Sequence, residues 1–197
     1  MGSLSVVLIS ESPVASAEHP MSNPKLNHLL IIFNELFLES ENTVIELSLD
    51  EPLYVPALKA DECSKILFSH GFFSSALHEI SHWLVAGEQR RKLEDYGYWY
   101  KPDGRTFKEQ LEFEKVEILP QAIEWILSVC CDHRFHFSAD NLNSGFVISE
   151  QFKQNVSLKA QSLLEHGLPD RMEKLVNELV NGFAGKNPSA EDFLIKD

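Results

Sequence analysis

Cysteine is scarce in this sequence, and its placement excludes two kinds of fold. The 197 residues contain three cysteines, Cys63, Cys130 and Cys131, of which two are adjacent. The number is odd and no Cys-x-x-Cys pair occurs, so a disulfide scaffold and a thiolate zinc ribbon are both excluded. Free thiols favour a reducing compartment, and we therefore expect a cytoplasmic protein.

Basic residues are also in the minority. Lys and Arg number 17 against 30 Asp and Glu, which gives a formal net charge of −13. Because binding to phosphates needs a basic face, we expect no direct contact with nucleic acid, whereas a cationic partner is permitted. No run of about 18 apolar residues occurs, so we predict no membrane span and no membrane partner.

The remaining composition is that of one globular domain. Hydrophobic residues make up 44% of the chain and charged residues 24%, which is enough apolar material for a core. We predict a flexible N-terminal tail over residues 1–22, a folded domain over 23–185 and a polar C-terminal tail over 186–197.

Helix caps, turn residues and hydrophobic spacing predict an α+β fold, mainly helical with a small sheet. The predicted helices cover residues 24–40, 74–93, a stretch after Thr106 that includes Phe113 and Glu114, 121–131, 149–165 and 170–183. The predicted extended segments cover residues 43–47, 52–55, 65–69, 116–119 and 133–138. The break before residue 121 is expected because proline disfavours the helical conformation in the residue that precedes it.

One short motif indicates chemistry. Residues 78–82 read His-Glu-Ile-Ser-His, an HExxH pattern in the middle of a predicted core helix. Side chains four residues apart lie about 40° apart on one helix face, so His78 and His82 can reach one metal ion. Glu79 lies about 100° further round, close enough to act on a metal-bound water without being a ligand. This arrangement is zincin-like.

Two imidazoles hold a metal weakly, so a third protein ligand is expected. Glu117 stands between Val116 and Ile118, and a carboxylate in such an apolar run is costly to bury unless something pairs with it. We take Glu117 as the third ligand, with Glu114 as the second choice and Glu124 as the third.

The set His78, His82 and Glu117 leaves coordination positions open and serves two chemistries. With zinc, the ion activates water, Glu79 takes its proton and a peptide bond is cut. With ferrous iron, the open positions accept dioxygen and a substrate, which is hydroxylated. The spacing alone does not choose between a metallopeptidase and an oxygenase.

A resemblance to a known family distinguishes between these two activities. The sequence closely resembles the bacterial elongation factor P hydroxylase family over about residues 24–185, with its motifs in the same order. The shared motifs are His70-Gly71-Phe72-Phe73-Ser74-Ser75-Ala76-Leu77-His78-Glu79-Ile80-Ser81-His82-Trp83, Tyr96-Gly97-Tyr98-Trp99-Tyr100, Pro102-Asp103-Gly104-Arg105, Phe113-Glu114, Val116-Glu117, Pro120-Gln121-Ala122, Asp140-Asn141-Leu142 and Asp50-Glu51-Pro52.

The resemblance implies a non-haem iron oxygenase that hydroxylates a β-lysylated lysine on elongation factor P with molecular oxygen. It implies that residues 23–185 form the metal-dependent hydroxylase domain. The implied metal ligands are His78, His82 and a glutamate of the 113–117 segment, for which we favour Glu117 over Glu114. Glu79 is expected to relay a proton or to orient a ligand.

The implied substrate is long and cationic, which suits an acidic protein. Asp95, Asp103 and Asp140 are candidates to receive its ammonium groups. The aromatic loop of residues 96–100 could line a channel for a lysine stem.

Overall fold

The computed structural model describes residues 23–95, 105–138 and 148–195. These ranges contain five α-helices and one three-stranded sheet, so the expected mainly helical fold with a small sheet is confirmed. In chain order the elements are α1 (Pro24–Glu41), β1 (Thr43–Leu47), β2 (Leu53–Val55), β3 (Ser64–Phe68), α2 (Phe73–Val85), α3 (Phe107–Cys130), α4 (Glu150–His166) and α5 (Asp170–Gly182), with short 3-10 helices at Arg90–Lys92 and Ala190–Phe193.

The first helix begins and ends where its sequence predicts. The Asn23 side chain accepts hydrogen bonds from the backbone N–H groups of Lys25 and Leu26, both at 3.1 Å, and Pro24 occupies the first turn. The helix stops at Glu41 because Asn42 takes a left-handed conformation with φ 48°.

The sheet has the order β1-β3-β2, with β1 parallel and β2 antiparallel to the central strand β3. In both outer strands, the backbone N–H and C=O of the middle residue are hydrogen-bonded to a group outside the sheet. The Asn34 side chain donates to the carbonyl of Ile45 in β1 and accepts from its N–H. In β2, the N–H and C=O of Tyr54 pair with the backbone of Asp95, and prolines stand on either side of the strand at positions 52 and 56.

Helix α2 is shorter than predicted. It ends at Val85, eight residues before the predicted end at residue 93. The Arg171 guanidinium of α5 donates to the carbonyls of Trp83, Leu84 and Ala86 at 3.5, 3.3 and 2.9 Å. These carbonyls therefore have a hydrogen-bond donor without a further turn of helix. A partner from a distant helix therefore sets the end of α2.

Helix α3 corrects a second prediction. Residues 116–119 are not extended, because a single helix runs from Phe107 through Pro120 to Cys130. Thr106 and Glu109 form the capping box at its start. Proline removes one backbone hydrogen bond, and this cost is offset because the next two turns bury an apolar face. That face consists of Ala122, Ile123, Ile126 and Leu127. Residues 133–138, predicted as a strand, have no strand pairing within the described parts of the chain.

One hydrophobic core joins α1, the sheet and the remaining helices. Helix α2 packs between β3 and α3, α4 packs against α3, and α5 packs against α1 and α3. The end of the chain also reaches this core. Phe193, which lies in the segment 186–197, is fully buried, and its carbonyl accepts a hydrogen bond from Ser157 in α4.

No helix among the described residues is long and apolar enough to cross a membrane. The predicted N-terminal tail, the aromatic loop of residues 96–100, Asp103 and Asp140 lie outside the described residues. The likeness of α2 to the metal helix of zincin peptidases stays a prediction.

Candidate metal centre

The polar side chains singled out in the sequence meet where α2 packs against α3. Helix α2 presents His78 and His82 one turn apart, as their spacing predicts. Helix α3 presents Glu117, Gln121 and Glu124, which are spaced by four and three residues and therefore lie along one face. The two rows face each other across the contact between the helices.

Three of these side chains converge on one point. Nε2 of His82 lies 3.1 Å from Nε2 of His78 and 3.4 Å from Oε1 of Glu117. One ligand atom from each residue lies within 4.8 Å of the other two. Within residues 23–95, 105–138 and 148–195, no other group of His, Cys, Asp and Glu side chains converges in this way. Metal–nitrogen bonds are about 2.0–2.1 Å long, so nitrogens 3.1 Å apart can share one ion.

The cluster is largely buried. The side chains of His78, His82 and Glu117 are 27%, 15% and 4% exposed, respectively. His78 is the most accessible of the three side chains, while Glu117 is held in the protein interior.

Two further α3 side chains contact the cluster from outside. Nδ1 of His78 lies 2.9 Å from Oε2 of Glu124. The amide of Gln121 donates to Oε2 of Glu117 at 3.5 Å and to the carbonyl of Ser138 at 2.8 Å, and it accepts from the N–H of Ser138 at 3.2 Å. Gln121 thus connects Glu117 to the chain that follows α3.

Electrostatics distinguish the two histidines. Burial lowers the pKa of His78, but the hydrogen bond to Glu124 and the charges of the nearby glutamates outweigh burial and raise the pKa to about 10. Burial and the positive charges of His78 and Arg90 bring the pKa of His82 well below its usual value. The surroundings therefore favour a positive charge on the imidazole of His78 and a neutral imidazole at His82.

The donor atoms fit a metal ion. Nε2 of His82 lies within 3.5 Å of both Nε2 of His78 and Oε1 of Glu117, at 3.1 and 3.4 Å. These two imidazoles and one carboxylate would hold a divalent ion between them. This donor set suits ferrous iron and zinc alike.

The alternative ligands of the sequence lie elsewhere. Glu114 accepts a hydrogen bond from the Ser149 hydroxyl at 3.0 Å, at the start of α4, and does not belong to the converging group. Glu124 binds the opposite side of the His78 ring. The geometry therefore singles out Glu117 among the three glutamates.

Glu79 lies beside the cluster. It lines a cavity of about 40 Å³ together with His82, Tyr54 and Trp83. Asp95 lines the same cavity, but its carboxylate accepts from the Arg90 guanidinium at 2.6 Å. This ion pair weakens the case for Asp95 as a receiver of a substrate ammonium group.

Comparison with known proteins identifies the family. Residues 32–193 match the family model described as elongation factor P hydroxylase. The elongation factor P lysine hydroxylase of Haemophilus influenzae is 51% identical over 156 residues, which cover 79% of this chain and 88% of that protein. The chain belongs to the elongation factor P hydroxylase family. The resemblance read from the motifs is thereby confirmed, and the match to the elongation factor P hydroxylase model includes α2, α3 and the buried Phe193.

Proposed function

We propose that this protein is an oxidoreductase that hydroxylates the β-lysylated lysine of translation elongation factor P, with a non-haem ferrous ion held by His78, His82 and Glu117. One observation supports this most directly: in a chain of the elongation factor P hydroxylase family, two imidazoles and one carboxylate converge to within 4.8 Å. Bound ferrous iron supplies the activation of molecular oxygen for insertion into a C–H bond.

The residues around the ion have distinct tasks. His78 and His82 are neutral ligands, and Glu117 lowers the net charge of the bound ion. Glu79, beside the small cavity next to His82, takes up and returns a proton at its carboxylate.

The proposed substrate agrees with the charge of the protein. A β-lysylated lysine carries ammonium groups on a long apolar stem, and a chain with a net charge of −13 attracts such a group. The reaction requires no direct contact with nucleic acid or membrane, and we place it in the cytoplasm, where translation factors act.

Intact-mass analysis tests the proposal. Lysylated elongation factor P is incubated with this protein, ferrous iron and a reductant, in air and without oxygen. We expect a gain of one oxygen atom that requires air, that is lost with His82→Ala, and that is retained with Glu114→Gln. Absence of the gain with the unaltered protein contradicts the proposal.

Metal analysis separates the proposal from the zinc metallopeptidase alternative. Protein purified without added metal is examined for its bound ion, for oxygen uptake with lysylated elongation factor P and for cleavage of peptides. Iron with oxygen uptake supports hydroxylation. Zinc with peptide cleavage and no oxygen uptake supports the peptidase.

A further inference from the structure

The Glu124 carboxylate contacts the metal cluster from outside. Its Oε2 lies 2.9 Å from Nδ1 of His78, whereas Nε2 of the same ring lies 3.1 Å from Nε2 of His82. Glu124 therefore binds the edge of the ring that faces away from the converging ligand atoms, and none of the roles assigned above uses it.

The chemistry of imidazole gives this contact a meaning. A neutral imidazole has one N–H and one lone pair, and only the nitrogen with the lone pair can bind a metal. A carboxylate beside Nδ1 keeps the proton on that nitrogen, which leaves the lone pair on Nε2. We infer that Glu124 is a positioning residue, which holds His78 in the tautomer and orientation that present Nε2 to the metal ion. This inference rests on the proposed function.

The place of Glu124 in the fold makes the contact rigid. Glu124 is 7% exposed, and a buried carboxylate is costly unless it accepts a hydrogen bond. It lies seven residues after Glu117 on α3, two turns along the same face. One helix therefore provides both the carboxylate that would bind the ion and the carboxylate that orients a histidine ligand.

The sequence context excludes a merely surface role for this glutamate. Its neighbours along α3, Ile123, Ile126 and Leu127, are buried in the core. Loss of the carboxylate allows the proton of His78 to occupy Nε2 as well as Nδ1 and allows the ring to rotate. Metal binding must then select one arrangement among several, and loss of such an outer contact weakens binding about 10–100-fold.

Metal titration of the full chain tests the inference. Cobalt(II), followed by its visible absorption, and ferrous iron under anaerobic conditions are titrated into the unaltered protein, Glu124→Ala and Glu124→Gln. Glu114→Gln is the matched control, because Glu114 is a carboxylate on the same helix that accepts a hydrogen bond from Ser149 outside the cluster.

We expect Glu124→Ala to bind both ions about 10–100-fold more weakly, with an altered cobalt spectrum. Glu124→Gln should lose less metal affinity than Glu124→Ala, because the amide oxygen can still accept a hydrogen bond from Nδ1 of His78. Glu114→Gln should bind like the unaltered protein. In the zinc-loaded, ¹⁵N-labelled unaltered protein, we expect the His78 ring to be protonated at Nδ1 and ligated at Nε2.

Several results would overturn the inference. Equal metal affinity in folded Glu124 variants and the unaltered protein would reduce Glu124 to a structural residue, even if the melting temperature fell, and would leave the proposed function intact. Binding of the metal ion through Nδ1 of His78 instead of Nε2 would also overturn the inference and leave the proposed function intact. If the unaltered protein binds neither ion, the proposed function fails together with the inference. Should Glu124→Ala not fold, the affinity of Glu124→Gln and the ring assignment decide the matter.

Discussion

At the scale of single residues, Gln121 supports the candidate site through a contact with one of its candidate ligands. It is 1% exposed and bonds to Glu117 and to both backbone groups of Ser138. An amide is the one neutral side-chain group that can donate to a carboxylate and a carbonyl while accepting from an N–H. Gln121 therefore fixes Glu117 without adding a charge.

Replacement of this amide by a side chain of similar size should be costly. Gln121→Leu leaves the backbone groups of Ser138 and one oxygen of Glu117 without this partner, so we expect a loss of about 1–3 kcal/mol in the free energy of unfolding. Gln151→Leu makes the same chemical change on an exposed face of α4 and should stay within about 0.5 kcal/mol. Urea unfolding of both variants measures the difference. A Gln121→Leu variant as stable as the control would contradict this account.

His133 should make stability depend on pH. Its ring packs on Phe73 with centroids 4.8 Å apart, and burial, followed by the positive charges of Lys25 and His136, lowers its pKa. The unfolded chain therefore takes up this proton at a higher pH than the folded one. The contribution to stability is complete above the ordinary pKa of about 6.5 and is lost as the pH falls through the lower, folded value.

The comparison variant is His133→Phe, which keeps an aromatic ring against Phe73 and cannot be protonated. Unfolding free energies of both proteins are measured between about pH 7.5 and about pH 5. We expect the unaltered protein to lose more stability over this range than the variant. Parallel curves would show that His133 is not responsible.

The sequence indicates the candidate ligands of this site better than it indicates the residues that contact them. The spacing of His78 and His82 and the apolar neighbours of Glu117 are local properties, and they suffice to nominate the three residues that the structure brings together. The partners of Gln121 and Glu124 depend on how α3 lies against α2 and against residue 138. No local pattern contains that information.

At the scale of secondary structure, the end of α2 is the feature that tertiary contacts determine. The Arg171 guanidinium bonds to the last carbonyls of this helix and lies 4.5 Å from the centre of the Trp83 ring. His82 stands in the last turn of the same helix. A cation from α5 thus stabilises the end of the helix nearest to a candidate metal ligand.

Removal of this cation should loosen the end of α2. For Arg171→Ala we expect a loss of about 1–3 kcal/mol in unfolding free energy and faster hydrogen exchange at the amides of residues 84–86, because bonds to a charged donor are lost. Lys174→Ala, an exposed position on the same helix, is the control and should change neither quantity. Unchanged exchange in Arg171→Ala would contradict the assigned cap.

The bounds of the helices also have local causes in some places and distant causes in others. Helix starts at Asn23, Thr106 and Ser149 follow from capping residues and are where the sequence predicts them. The break predicted before Pro120 is wrong because burial of the apolar face that follows outweighs the local preference. Propensity describes a residue and its neighbours, whereas packing depends on the whole fold.

At the scale of the whole molecule, the two ends of the described chain belong to one core. Phe193 packs against Trp125 of α3 at a ring distance of 5.3 Å. Trp125 follows Glu124 directly, so the buried end of the chain supports the helix that presents the candidate site. Phe193, Leu194 and Ile195 are the large apolar residues of the segment 186–197, and so short a run does not by itself indicate burial.

Phe193→Ala should cost about 3–5 kcal/mol in unfolding free energy, because it empties a fully buried aromatic position. Leu194→Ala is the natural control, since Leu194 is the next residue and is 56% exposed. Its change should stay within about 0.5 kcal/mol. Similar losses in the two variants, measured by chemical denaturation, would show that residues 190–195 do not anchor the chain.

The closed edges of the sheet restrict how this protein can meet a partner. Within the described residues, the middle of β1 is bonded to Asn34, and the middle of β2, a strand that lies between two prolines, is bonded to Asp95. A foreign strand that approached either edge would have to displace these contacts before it could extend the sheet by β-augmentation. The same contacts disfavour edge-to-edge pairing of two copies of the chain.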